Sequence, residues 1–326
     1  MPALPSSFRT IALAATLLAS GPVLAQELLG DTTLVVGDQS ELIRNLLEAS
    51  GEDKDLGFDL ELPNFAGGPA ILEAMRAGAL DIAYVGDTPP IQARASGTLL
   101  PIVATVHRAT SEYRLVARPG VTLDRLADLK GKRVSYIEGS GRQAYLSEAL
   151  NRAGLTLDDV EPVPLRIADL PDAIRTGAVD VAVLQEPHVT RLKAQVRATT
   201  VADPEERRLL PGTWYIYARS EALADPTKKA AIGAFLTATI KAATWSNANR
   251  EEWGEHYYTR FQRIPAEDTA AILASQAPME FQTSVEAIPH HQRLIDLLAK
   301  AGELPEAFDA KGSFTANFDM VIEAAR

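Results

Sequence analysis

A phrase of about twenty residues occurs twice in this chain, roughly a hundred residues apart, and few folds accommodate such a pair. The first copy is residues 71–90 (ILEAMRAGALDIAYVGDTPP) and the second is residues 170–187 (LPDAIRTGAVDVAVLQEP). At constant offset the pairs Ala74/Ala173, Arg76/Arg175, Gly78/Gly177, Ala79/Ala178, Asp81/Asp180 and Ala83/Ala182 are identical. Each copy reads as an amphipathic helix closed by a glycine suited to the left-handed position past a helix end. A short apolar strand follows, then a polar loop containing proline. A short, wholly apolar strand after a helix signals a parallel α/β sheet. Open α/β sheets bind ligands beyond the carboxyl ends of their strands. The duplication therefore predicts two similar lobes, each presenting a loop at its sheet edge, with a cleft between them.

Length and charge narrow the function classes. The 326 residues are enough for two domains, and 46% hydrophobic with 23% charged residues is ordinary for a globular chain. A formal net charge of −11 argues against nucleic acid and against an anionic membrane surface as partners. A small anion remains possible, because its site needs local donors rather than a positive average. The chain has no cysteine, which excludes disulfides, thiolate metal sites and cysteine nucleophiles.

The N-terminus reads as an export signal. Arg9 is the only charge before the apolar run 11–18, which continues into the small-residue stretch 19–25. Val23 and Ala25 fit the −3 and −1 positions of a cleavage site, making residues 1–25 the leader and Gln26 the first mature residue. The run is short for a membrane span. The expected location is the periplasm, as a soluble protein.

Along the mature chain, residues 33–36, 58–62, 82–85, 102–106 and 113–117 read as strands, and a second lobe opens near Leu126 with a strand at 134–137. The similar segments 115–118 (LVAR) and 216–219 (IYAR) read as two crossing strands that form a hinge. That gives lobe 1 as residues 31–117 plus 219–326 and lobe 2 as 118–218. From Asp225-Pro226 onward the chain is expected to be mostly helical, with a further start at Ile264-Pro265.

The leading site candidate is residues 139–143, Gly-Ser-Gly-Arg-Gln, between a strand and a helix. Glycines let backbone N–H groups approach a ligand, the helix start adds partial positive charge, and Ser140, Gly141, Arg142 and Gln143 add donors or access. Gly67-Gly68-Pro69 and the loop Gly86-Asp87-Thr88-Pro89 offer a similar surface on the first lobe. Asp87 caps the next helix, orients a donor or meets an amino group, and Glu186 poses the same question on the second lobe. Gln39 and Ser40 follow the first strand. His188 follows the second-lobe loop, whereas adjacent His290 and His291 read as a solvated surface pair, since neighbours on a helix do not face one another. Trp214, Tyr215 and Tyr217 either wall the cleft or pack in the core; Trp245, Trp253 and Tyr257 read as core. No nucleophile–base–acid set is visible, so no catalytic residue, metal or cofactor is expected.

Taken together, residues 67–77 (GGPAILEAMRA), 81–90 with its Gly-acid-x-Pro-Pro core, 126–134 (LADLKGKRV), Gly139-Ser140, Ala153-Gly154-Leu155 and 177–187 resemble the solute-binding proteins of bacterial ABC importers, in the aliphatic sulfonate/taurine/nitrate group. The resemblance implies a two-lobed periplasmic-binding-protein fold of type II, each lobe a mixed, mainly parallel sheet flanked by helices, joined by two hinge strands. It implies a monomer that closes over a small anionic solute and hands it to an inner-membrane permease. By position the ligand would lie among Gln39, Ser40, Gly68, Gly86, Asp87, Thr88, Ser140, Gly141, Arg142, Gln143, Glu186, His188 and Tyr215. Two loops depart from the group's pattern: Gln185-Glu186-Pro187-His188 stands for a Trp-Asp-Pro-Tyr type, and Gly37-Asp38-Gln39-Ser40 for a Lys/Gly-Ser form. The expected solute is an alkanesulfonate or sulfate ester. Nitrate, a heterocyclic vitamin precursor, or a cofactor-biosynthesis enzyme on the same fold are the alternatives.

Overall fold

The computed structural model describes residues 29–326, so the expected leader at 1–25 lies outside the described residues. Strands β1 (Thr33–Gln39), β2 (Asp59–Glu61), β3 (Asn64–Phe65), β4 (Ile82–Gly86) and β5 (Ile102–Arg108) come first. They are followed by β6 (Arg114–Ala117), β7 (Arg133–Tyr136), β8 (Glu161–Pro164), β9 (Val181–Leu184) and β10 (Thr199–Thr200), and then by β11 (Gly212–Ala218) and β12 (Glu280–Gln282). Two sheets result. One runs β12-β5-β11-β4-β1-β2 with β3 beside β1, and the other runs β10-β6-β9-β7-β8. The fold is the two-lobed α/β arrangement that the duplication predicts.

Equivalent strands hold equivalent places. In the first sheet β1 pairs in parallel with β2 and β4, and β4 pairs antiparallel with β11. In the second β7 pairs in parallel with β8 and β9, and β9 pairs antiparallel with β6. Each sheet is therefore parallel on one side and antiparallel on the other, rather than mainly parallel. Both copies of the repeat end their helix at a left-handed glycine, Gly78 at φ 74° and Gly177 at φ 72°, as their sequences require.

The pairing corrects the expected hinge. The segments 115–118 and 216–219 are not crossing strands; each is an internal antiparallel strand of one sheet. Moreover, β6 belongs with the second sheet and β11 with the first, the reverse of the boundaries drawn at 117 and 218. The chain crosses between sheets at residues 109–113 and 201–211. These two crossings lie side by side: Ser111 N–H donates to Arg207 O at 2.8 Å and Gly212 N–H to Thr110 O at 3.0 Å.

The first lobe's core lies under the helix Pro226–Ala248, which begins where Asp225 accepts N–H bonds from Thr227 and Lys228. A cap of this kind contributes about 1 kcal/mol. The helix buries Ile232, Phe235, Leu236 and Ile240 against Leu34, Val36 and Ile82 of the sheet. The second lobe centres on Leu115, Val134, Tyr145, Leu146 and Val183. A helix also starts at Ala266 behind Pro265, as expected. Among the described residues no helix is long and apolar enough to cross a membrane.

Candidate functional site

The carboxyl ends of β1, β4, β7 and β9 converge on one cleft between the sheets. It has two connected chambers, of about 190 Å³ and about 350 Å³. Gln39, Arg142, Ile167, Gln185 and Trp214 line both and so mark the junction.

Glycines recur in the wall of the smaller chamber. Gly67, Gly68 and Gly86 line it from the first lobe, and Ser140, Gly141 and Arg142 from the second. Two of these glycines are required by close approach. A Cβ on Gly68 would lie 2.6 Å from Pro89 Cγ, and one on Gly141 would lie 2.5 Å from the Tyr113 hydroxyl. Ser140 is the N-cap of the helix Gly141–Arg152: its Oγ accepts from Arg142 N–H at 3.2 Å and donates to Ile137 O at 2.7 Å. Ser140 thus shapes the helix start, and its hydroxyl is already occupied.

Arg142 is the group with unused capacity. It is only 6% exposed, and its guanidinium lies 5.5 Å above the Tyr113 ring. One Nη donates to Gln185 Oε1 at 2.6 Å, while its buried Nε has no partner. Burial pulls its pKa below the ordinary guanidinium value, against the opposing pull of Tyr113 and Glu112. Among the described residues no carboxylate pairs with it directly. Glu112 is reached only through Gln185, and it already accepts from Arg108 at 3.1 Å and from Trp214 Nε1 at 2.5 Å. A buried cation with an idle donor is costly unless an anion completes it.

Gln39 and Ser40 wall the larger chamber. Strand β1 runs through Gln39, and the chain then turns sharply, with Ser40 at φ 60° and Glu41 at φ 52°. Asp38, not Ser40, caps the following helix, accepting N–H bonds from Gln39, Ile43 and Arg44. Burial outweighs those bonds and raises the Asp38 pKa to about 6. Tyr257 holds the turn by donating to Ser40 O at 3.1 Å. Glu186 and His188 also line this chamber. Glu186 accepts from Thr190 N–H and Oγ, and burial raises its pKa. Burial lowers the His188 pKa to about 4, aided by Arg191 and Arg142, so its ring faces the cleft uncharged at neutral pH.

Four expected site residues do not face the cleft. Asp87 is 4% exposed and Thr88 is wholly buried; Thr88 donates to Asp87 Oδ1 at 3.1 Å, and the pair sits behind the chamber wall. The Gln143 side chain accepts from Gly139 N–H at 2.7 Å and closes its own loop. Tyr215 is fully buried with its hydroxyl 3.0 Å from His291 Nδ1. Alternation along β11 explains this: Trp214 takes the cleft side, so Tyr215 points to the opposite one.

The surface reading of His290 and His291 is likewise overturned. They are 8% and 0% exposed, on the same helix side as Leu294, Ile295 and Leu298. They still diverge as neighbours on a helix must: His291 meets Tyr215, and His290 Nε2 lies 3.9 Å from Asp87 Oδ2. Sequence reasoning missed Arg108, Glu112, Arg114, Arg191 and Arg207, all of which line the larger chamber. One signal was local: Arg191 follows His188 by three residues and so shares its helix face.

The sequence matches the NMT1/THI5-like family over residues 54–252, more than half of the chain. The chain belongs to that family. A relative within reach is an Escherichia coli (strain K12) protein named for aliphatic sulfonate binding, 27% identical over 248 residues and covered, like this chain, to 76%. The crystal structure of the periplasmic aliphatic sulphonate binding protein from Escherichia coli superposes with a TM-score of 0.74 at 25% identity, covering 87% of this chain and 92% of that one. The alkanesulfonate-binding protein of Xanthomonas axonopodis pv. citri, solved with MOPS bound, gives 0.75 at 23% identity, covering 87% and 98%. At that identity the likeness is one of fold. These neighbours confirm that this NMT1/THI5-like chain has the periplasmic-binding-protein architecture.

Proposed function

We propose that the protein is the exported solute-binding component of an ABC importer, taking a small organosulfur oxyanion, a sulfonate or sulfate ester, into the cleft and passing it unaltered to a permease. The observation that carries this reading is Arg142: buried, without a carboxylate, and with an idle Nε at the junction of a glycine-walled chamber. A sulfur oxyanion presents three acceptor oxygens, and the guanidinium fork and the amides at the two helix starts supply donors. Glycines at 68 and 141 let the two helix starts pack closely on Pro89 and Tyr113 beside that fork. Nitrate would fill only a small part of even the smaller chamber, which favours a solute with an organic body. The relatives' named ligands agree with this chemistry.

Isothermal titration with ethanesulfonate, sulfate, nitrate and a pyrimidine tests the reading. Ethanesulfonate should bind, and Arg142→Gln should weaken it by about 2 kcal/mol, roughly 30-fold. Binding of nitrate or the pyrimidine alone, or an unchanged affinity in R142Q, defeats it. Export is checked separately: the protein recovered from the periplasmic fraction should begin at Gln26.

A further inference from the structure

The larger chamber has a charge opposite to that of the whole chain. Five arginines line it, Arg108, Arg114, Arg142, Arg191 and Arg207, against two glutamates, Glu112 and Glu186. The chain as a whole carries a net charge of −11. Three of the arginines are committed: Arg108 to Glu112, Arg114 to buried Glu206 at 2.5 Å, and Arg142 to the small chamber. Arg191 and Arg207 form no ion pair among the described residues. Their hydrogen bonds go to main-chain oxygens, of Gln262 at 3.0 Å and of Ser275. Glu186 makes no ion pair with either; its carboxylate accepts from Thr190 N–H and Oγ instead.

An alkyl tail lying here would desolvate guanidinium groups without pairing them, and an ammonium tail would meet like charge. An acidic tail answers both problems. The walls also favour a flat body. Trp214 stacks on Tyr84 with centroids 4.8 Å apart at the chamber junction, and Tyr257, Tyr258 and Phe261 line the larger side. Aromatic faces of this kind hold rings in offset or edge contact.

We infer that the ligand is an aryl sulfonate or aryl sulfate ester bearing a second acidic group, with its sulfur head at Arg142 and its acid at Arg191 and Arg207. This rests on the proposed function for the head group and adds the identity of the tail.

Titration calorimetry with paired probes tests it: benzenesulfonate against 4-sulfobenzoate, and biphenyl-4-sulfonate against 4′-sulfobiphenyl-4-carboxylate. In at least one pair the acid-bearing member should bind about tenfold tighter or better. In the double variant Arg191→Gln/Arg207→Gln the ratio within that pair should fall to within about threefold. A ratio is the decisive readout, because both arginines also reach across to the first lobe, and a loss of closure alone would weaken both members equally. If neither pair shows a preference, or the preference survives in the double variant, the tail assignment fails while the head reading stands. If terephthalate binds and no sulfonate does, the head reading fails and takes this assignment with it, as does absence of binding by every sulfonate.

Discussion

The two lobes carry the same carboxylate at the same turn, in different surroundings. In the first, Asp81 accepts from Val35 N–H of β1 at 2.9 Å and from Lys228 Nζ at 2.5 Å, with Arg219 3.6 Å away. In the second, Asp180 accepts from Arg133 N–H at the start of β7 at 3.1 Å, from the Arg133 guanidinium, and from Arg118 at 3.0 Å. In both, the aspartate of the repeat ties the turn to the neighbouring parallel strand, β1 or β7. The arginine that follows the antiparallel strand, Arg219 or Arg118, comes to the same carboxylate. The two pairs of similar segments in the sequence are thus two halves of one staple. Burial separates them: the Asp81 side chain is 7% exposed and that of Asp180 14%, while the arginines around Asp180 are about a third exposed. The same bonds are worth more where water cannot replace them.

Denaturant titration of single variants gives the sharpest test of that difference. Asp81→Ala leaves the Val35 amide in the sheet without its acceptor and the Lys228 ammonium without its counter-charge, and should cost about 3 kcal/mol. Asp180→Ala also frees an amide, Arg133 N–H, but at this more exposed turn water can reach it and the Arg118 and Arg133 side chains. The change should cost about half as much, roughly 1.5 kcal/mol. Equal losses would mean that burial does not distinguish the staples.

The smaller effect is one of pH. Arg133 hydrogen bonds hold the Asp180 pKa well below the usual carboxylate range. Its contribution is therefore fully present above about pH 4 and is lost as pH falls below it. His188 acts earlier and with the same sense. Its pKa is lowered by burial from 6.5 to about 4, so its neutral form favours folding above 6.5, and that contribution drains away as pH falls towards 4. His188→Gln should remove roughly 1–2 kcal/mol of acid-induced loss across that window. An identical pH profile for variant and wild type would show that the ring is equally solvated in both states.

What was legible in the sequence follows from how local each signal is. The helix–glycine–strand phrase is decided within a few residues, so both copies, their left-handed glycines and their cleft loops could be placed. The exchange of β6 and β11 between sheets was not legible, because LVAR and IYAR look alike whichever neighbour they pair with. Ser140, Gly141 and Arg142 were found through turn chemistry. Tyr215 was misplaced by a single step of strand alternation, which sends adjacent side chains to opposite faces. His290 and His291 were misread because an apolar helix face fixes burial only once its partner helix and sheet are known. Arg191 and Arg207 come to the cleft from a helix and a crossing segment that no pattern in the chain connects.

Those crossings carry one more consequence. Glu112 and Tyr113 lie on one and Arg207 on the other, and all three face the cleft. The few residues that join the halves are therefore among those that line the cleft, so a change made there to broaden what is accepted alters the joint between the halves as well. Cleft lining and connection share the same two crossings here, and neither can be redesigned without the other.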